Sequence, residues 1–270
     1  MSISIRKRIR RFLRKPRKHL EKDAHIVSFP KSGRTWLRVL IGKALCEKYN
    51  LPEAIMLRTE KVTSGAGILC TTFTHDLSSM KDRYEHYRLP TDKSRYAEKK
   101  VIFLTRDIED ILVSCYFHAT RRTKRKDKLY SGTLSDLIRS DRYGARKVIS
   151  FYNIWHGQKE VPKEFMLIRY EDMHEKTDEV LAQVLHFLGA KNIEHHIIET
   201  AVQFASFDSM KKKERAGFFK HHSMKSRNIN DPESYKVRKG VVGGYKSYLS
   251  QEDIKYIDEL KRELGCPFLL

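Results

Sequence analysis

The stretch HIVSFPKSGRTWLRVLIGKAL, from His25 to Leu45, constrains the fold more than any other part of the chain. An apolar run ends in Pro30-Lys31-Ser32-Gly33-Arg34-Thr35. An amphipathic pattern follows, in which Trp36, Leu37, Leu40, Ile41, Ala44 and Leu45 recur at helical spacing. This reads as a strand, a tight turn and a helix. A helix start offers unpaired N–H groups and the positive end of the helix dipole, so such a turn suits an anion. Gly33 lets the backbone approach closely, and Lys31 and Arg34 add charge. The Walker pattern G-x-x-x-x-G-K-[ST] is not met: Ser28 stands in the first Gly place and Arg34 in the Lys place. The turn is either a degenerate nucleotide-hydrolase loop or an intact loop for another phosphorylated ligand.

The same alternation continues along the chain. GILCTTF (67–73), VIFLT (101–105) and FMLIR (165–169) read as further strands. Helical patterns cover about 107–119 and 176–188, the latter closed by Gly189, and a last helix starts at Ser250 with Asp253 three residues on and Gly265 past its end. Strands alternating with helices predict an α/β fold of three layers, P-loop-like, with a mostly parallel central sheet flanked by helices. Ligands of such folds bind at the carboxyl ends of the strands. The segment 208–246 lacks clean periodicity and reads as a long functional loop.

Charge separates the chain into parts. The net charge is +20, but residues 1–22, 120–128 and 208–246 together carry +21, so the remainder is close to neutral. Local positive charge implies anionic partners: phosphate groups, acidic glycans, anionic lipid or nucleic acid. Residues 1–22 form a basic amphipathic segment with Ile5, Ile9, Phe12 and Leu13 on one face and Pro16 ending or kinking the helix; it is either a solvated tail or a contact for an anionic membrane surface. Residues 23–270 read as one domain. No apolar run of about 18 residues predicts a membrane span, and the charged N-terminus cannot supply a signal-peptide core. Cys46, Cys70, Cys115 and Cys266 show no metal-ligand spacing, which suggests reduced thiols and a cytoplasmic protein.

Two more elements carry anion chemistry. In VIFLTRDIEDILVSCYFH, Arg106 follows a strand directly. Ser114 lies roughly 130° from the apolar stripe of the helix, so it can reach toward a ligand held by Arg106. In RKGVVGGYK, Arg238 and Lys239 adjoin a flexible backbone N–H at Gly240, which suits a phosphate monoester.

Together these motifs resemble the cytosolic-type sulfotransferases, the family that uses 3′-phosphoadenosine 5′-phosphosulfate (PAPS). FPKSGRTW is similar to that family's 5′-phosphosulfate loop, Y-P-K-S-G-T-T-W. RDIEDILVSCYF is similar to R-N-P-x-D-x-x-V-S-x-Y-x-F, RYEDM to Y-E-D-M, FASFDSM to T-S-F-x-x-M with Ala205 in the Thr place, and RKGVVGGYK to R-K-G-x-x-G-D-W-K with Gly244 and Tyr245 in the Asp-Trp places. The resemblance runs from about residue 24 to 265. It implies a metal-independent enzyme that moves a sulfuryl group from PAPS to a hydroxyl or amine and releases PAP. Lys31, Ser32, Gly33, Arg34 and Thr35 then belong to the 5′ side. Arg106, Ser114, Arg238, Lys239 and Gly240 belong to the 3′-phosphate, Tyr170 to the adenine side, and Trp36, Ser206 and Phe207 to the cofactor site as a whole. Lys31, His75 and Ser114 are the implied catalytic residues, with Lys31 against the leaving oxygen. His75, in TTFTHDL where the family has K-T-H, is the implied general base. Phe73 takes the place of that segment's Lys, and Arg34 the place of a Thr, where it either tightens the 5′ grip or points to solvent.

Two rivals remain. A P-loop kinase-like ATP-dependent phosphotransferase would use Asp107 as its Walker-B-like acid, yet it leaves Arg106, Ser114 and Arg238–Gly240 without a role. A non-catalytic RNA- or membrane-binding protein predicts stacking aromatics among the basic clusters, and only GFFKHH offers them. The expected acceptor is a glycan or glycolipid, with basic segments 121–128 and 211–227 flanking its entry and no specific nucleic acid involved. The family's C-terminal dimer signature is not recognisable.

Overall fold

Short runs of Val, Ile, Phe and Leu that ignore the one-face rule of exposed strands are what a sheet covered on both sides requires. Such runs form three of the four strands, the fourth being the Thr-rich TTFT, in the computed structural model, which describes residues 22–81, 85–122, 130–219, 224 and 232–268. They are β1 (Ala24–Ser28), β2 (Thr71–Thr74), β3 (Lys100–Thr105) and β4 (Glu164–Arg169). All pair in parallel, in the order β2-β1-β3-β4. The expected α/β architecture is therefore present, with a wholly parallel sheet among the described residues.

Helices cover both faces. Strand residues alternate between two cores: Ile26, Ile102 and Leu104 point into one, Val27, Val101 and Phe103 into the other. The first core is filled by α1 (Arg34–Lys48), α2 (Thr59–Gly65), α7 (Thr177–Phe187) and α8 (His195–Phe204). The second is filled by α3 (Ile108–Phe117), α4 (Leu134–Arg139), α5 (Ala145–Gly157) and α10 (Gln251–Leu264). α6 (Tyr170–Glu175) and α9 (Phe207–Arg215) lie beside the strand ends described below. α1 buries Leu37, Leu40, Ile41, Ala44 and Leu45, the stripe expected from sequence. Ser250 caps α10 by accepting the Asp253 N–H at 3.1 Å.

The sequence reading needs two adjustments. β2 is shorter than GILCTTF and starts at Thr71; Ile68 and Leu69 pack on the core outside the ladder. The segment 208–246 is not loop throughout, because α9 occupies its start. Only Met210 and Glu214 of that helix are buried, at i and i+4, while Lys211, Lys212 and Arg215 are exposed. With a single buried apolar residue in a strongly polar run, this helix offers no apolar stripe for a sequence reading to find. α2, α4, α5, α6 and α8 are additions to the reading. Residues 1–21, and most of the basic segment 121–128, lie outside the described residues. The four cysteines are free and buried, and among the described residues no helix is long and apolar enough to cross a membrane.

Phe103 sits at the centre of the second core. It is fully buried, with its ring 5.7 Å from Phe151 and 5.4 Å from Trp155. We expect Phe103→Ala to cost about 3–5 kcal/mol in chemical denaturation, the cavity cost of a buried aromatic. A loss below about 1 kcal/mol would place the core elsewhere.

Candidate functional site

All four strands end at one crevice. β1 runs into Lys31–Thr35, β2 into His75, β3 into Arg106 and β4 into Tyr170, and all four contribute to the wall of a cavity of about 670 Å³. Parallel strands make this convergence unavoidable, since their carboxyl ends share one edge of the sheet. Phe207 at the start of α9 and the segment 236–241 supply more of the wall.

The turn after β1 is built for close approach. Lys31 and Gly33 both hold left-handed backbone, at φ 75° and 94°. For Lys31 that conformation costs on the order of 1 kcal/mol, an outlay typical of a functional loop. A Cβ on Gly33 would stand 2.4 Å from the ring of Tyr170, so only glycine fits. The Gly33 carbonyl accepts the N–H groups of Trp36 and Leu37 at 2.9 and 3.2 Å. The N–H groups of Gly33, Arg34 and Thr35 have no partner among the described residues, the usual state of a helix start that awaits an anion. Ser32 turns inward instead: its hydroxyl donates to the Phe29 carbonyl at 3.0 Å, and it is buried off the cavity wall. Arg34 lines the cavity, which resolves the two readings of that side chain against solvent.

The second element is pinned from both sides. Tyr152 bonds the backbone of Arg106 twice, accepting its N–H and donating to its carbonyl, each at 3.0 Å. The Arg106 guanidinium lies 4.1 Å from the Tyr170 ring centroid and donates to the Lys31 carbonyl at 3.2 Å and to Asp110 at 3.3 Å. Its Nε is buried with no partner among the described residues. Ser114, one helix face away from the core stripe, is half-buried on the cavity wall as its angular offset predicts. Asp107 caps α3 by accepting the Glu109 N–H at 3.1 Å, so the acid that a kinase reading needs is spent on the helix.

Asp110 ties the third element to the second. Its carboxylate accepts the N–H groups of Gly243 and Tyr245, both at 3.0 Å. Gly240 is left-handed at φ 62°, and a Cβ there would stand 2.3 Å from the Phe207 ring. Arg238 lines the cavity while pairing with Glu233 at 3.1 Å and Tyr248 at 2.8 Å. Lys239 lines it too, with its ammonium 4.4 Å from the Tyr248 ring centroid. Trp36, Tyr170 and His174 form an edge-to-face aromatic cluster with ring centroids 4.7–5.8 Å apart, and Phe207 lies on the same cavity. Ser206 is exposed at the N-terminus of α9, away from the wall, so the structure does not gather it with the others.

His75 completes the cavity. Its Nδ1 lies 2.8 Å from the Ser28 carbonyl, which fixes Nδ1 as the donor and leaves Nε2 with its lone pair. Burial and the charge of Arg34 push its pKa down to about 3, so the imidazole is neutral at pH 7. The following residue, Asp76, is a buried carboxylate bonded by Trp155 at 3.0 Å, Tyr96 at 2.9 Å, Lys93 at 2.8 Å and Arg95, and it anchors the loop that carries His75.

Sequence reasoning missed Lys236, His118 and Asp110, all on the cavity wall. Asp110 was readable from its i,i+4 spacing to Arg106. Lys236 stands two residues before Arg238, and nothing in its own neighbourhood marks it. Burial pushes the Lys31 ammonium well below its usual pKa, helped by the charges of Lys236, Arg122 and Arg106. Burial, Arg122, Arg34 and Arg38 push Lys236 down to about 7. Among the described residues no cluster of His, Cys, Asp and Glu could hold a metal ion.

Three half-buried histidines give the protein an acid limb. Burial holds His25 at about 4 and His75 at about 3, and it lowers His118 further. In the unfolded chain each titrates near its ordinary value of about 6.5. Below that pH the unfolded state takes up protons that the native state refuses, so stability falls as pH falls. We expect the Tm to drop as pH falls between 6.5 and 5, before most carboxylates titrate. A level Tm down to pH 5 would contradict this.

Comparison with known proteins bears on the same residues. The family model described as "Sulfotransferase domain" matches residues 21–264. A flavonol 3-sulfotransferase of Flaveria bidentis is 24% identical, covering 92% of this chain and 83% of its own length. Human sulfotransferase 2A1 is 26% identical, covering 90% and 84%. The fold matches that of mouse sulfotransferase SULT7A1, solved with PAP, at a TM-score of 0.58 and 21% identity over 92% of this chain and 86% of that one. A retinol dehydratase solved with androsterone and PAP also gives 0.58, at 15% identity over 89% and 80%. With a family model spanning nearly all of the described residues, the chain belongs to the sulfotransferase family.

Proposed function

We propose that this protein transfers a sulfuryl group from PAPS to a hydroxyl or amine of an acceptor, of the glycan or glycolipid class, with His75 as general base. The observation that carries this reading is the convergence of the Lys31 turn, the Arg106–Ser114 pair, the Arg238–Gly240 turn and His75 on one cavity. The residues fit the nucleotide: partnerless N–H groups at a helix start, the orphaned Nε of Arg106, and an aromatic cluster beside them. The two structural neighbours that contain PAP agree with this choice.

PAPS supplies the activated sulfuryl group; everything else falls to the chain. Arg34, Thr35 and the N–H groups of the turn hold the 5′-phosphate. Arg106, Ser114, Arg238, Lys239 and the Gly240 backbone hold the 3′-phosphate, and Trp36, Tyr170 and Phe207 flank the adenine. Lys31, short of partners and surrounded by like charge, regains its full charge beside an anion and stabilises the leaving oxygen. His75 accepts the acceptor's proton at Nε2 while the Ser28 carbonyl holds the ring in place. The cationic lining, which includes Lys81, Arg122 and Lys236, supports a polar or anionic acceptor over an apolar one. The basic segment 1–22 would bring the enzyme to an anionic membrane surface on the cytoplasmic side, where a glycolipid acceptor is presented.

The test is turnover of radiolabelled PAPS against a panel of glycans, glycolipid vesicles and simple phenols. We expect label in the glycan or glycolipid arm and little in the phenols; efficient sulfation of phenols alone would overturn the acceptor assignment. His75→Ala should lower kcat by about 10²–10⁴ with PAP binding intact. Unchanged turnover in that variant would remove His75 from the mechanism.

A further inference from the structure

A lysine that no family motif accounts for lies on the wall of the site. Lys236 lines the cavity with Lys31 and His75, and its charge acts on both of them. Its ammonium has no carboxylate or carbonyl partner among the described residues. Its backbone, by contrast, is clamped. The buried Glu214 of α9 accepts the Lys236 N–H at 2.7 Å with one oxygen and the Val237 N–H at 2.8 Å with the other. The buried Arg122 donates to the Ser234 carbonyl at 2.7 Å and lies 3.5 Å from Glu214. One buried acid, which could have neutralised Lys236, instead holds the strap from which Lys236 projects.

The position from which the family pattern supplies a lysine is filled otherwise. Phe73 carries the Arg38 guanidinium 4.5 Å from its ring centroid and takes no part in the cavity wall. A cation is thus absent from β2 and present on the strap.

We propose that Lys236 is a catalytic residue that supplies the second cation of the reacting centre, against the sulfuryl oxygens, in place of a lysine at position 73. The proposal rests on the sulfotransferase reading above. In the step it assists, the acceptor oxygen forms a bond to sulfur and the bond from sulfur to the phosphate oxygen breaks. The bonding pair leaves on that oxygen beside Lys31, and the acceptor proton passes to Nε2 of His75. Negative charge spread over the sulfuryl oxygens meets the Lys236 ammonium, whose backbone is held by the Glu214–Arg122 clamp. Arg122, Arg34, Arg38 and Glu214 are the charged groups that surround it, and with three cations against one engaged acid they favour an incoming anion.

The experiment compares wild type with Lys236→Met and Lys236→Arg in the full chain. An uncompensated buried cation is a burden in the free protein, so the Met variant should melt at a temperature equal to or above wild type. It should bind PAP by calorimetry with less than about a five-fold change, while kcat falls about 100-fold, the effect of removing one transition-state donor. Lys236→Arg should keep at least about a tenth of wild-type kcat. The proposal is overturned if Lys236→Met turns over within about two-fold of wild type. It is also overturned if that variant melts lower and loses PAP binding together with activity, the signature of a structural residue. Failure of the wild-type protein itself to bind PAP would sink the sulfotransferase reading, and this proposal with it.

Discussion

The site is governed by repulsion among cations that the fold holds together out of water. Lys31, Arg34, Arg106, Arg122 and Lys236 meet in one crevice, and Asp110 and Glu214 are already committed to backbone N–H groups of the neighbouring strap. Both lysines respond by losing affinity for their protons. Arg106 and Arg122 have Asp110 and Glu214 beside them, but Lys31, Arg34 and Lys236 have no carboxylate partner among the described residues. An anion offsets this crowding, because each opposite charge placed in a low-dielectric cavity is worth far more than in water. The rest of the fold can be understood as the means of keeping these groups from relaxing: Tyr152 on the backbone of Arg106, Asp76 under the His75 loop, and Glu214 on the strap of Lys236.

Much of this was legible in the sequence. Buried parallel strands advertise themselves as apolar runs, and the helix after β1 carries its stripe openly in Leu37, Leu40, Ile41, Ala44 and Leu45. The Lys31 turn could be read because its chemistry is local: a strand end, a glycine and a helix start lie within ten residues. Arg106 could be placed just past a strand end, whereas His75 stood out only through the resemblance of TTFTHDL to the family's K-T-H. What stayed hidden depends on contacts between distant segments. Ser32 and Ser206 stand within matching motifs, yet the first bonds back to Phe29 and the second faces solvent. α9 escaped because it buries only Met210 and Glu214. Glu214 was nevertheless marked, as the single acid in the run Lys211–Arg215, and a lone acid in such a run has a reason to be there.

Membership of the sulfotransferase family fixes the type of reaction, and the departures from the family pattern show where this member has been rebuilt. Phe73 has left the catalytic segment and packs beneath Arg38. Arg34, in place of a hydroxyl residue, faces the cavity and depresses the basicity of His75. The imidazole is neutral at physiological pH with its Nδ1 engaged, so its Nε2 stays unprotonated while the additional cations favour an incoming anion.

The central claim is that the cavity is shaped for an adenosine carrying both 3′- and 5′-phosphate groups. Calorimetric titration of the purified protein with adenosine 3′,5′-bisphosphate, with AMP, and with ATP plus Mg²⁺ tests it most directly. The account predicts metal-free binding of the bisphosphate, and at least about ten-fold weaker binding of AMP, a difference of about 1.4 kcal/mol from the 3′-phosphate alone. Equal binding of AMP and bisphosphate, or tighter binding of ATP in the presence of Mg²⁺, would contradict it.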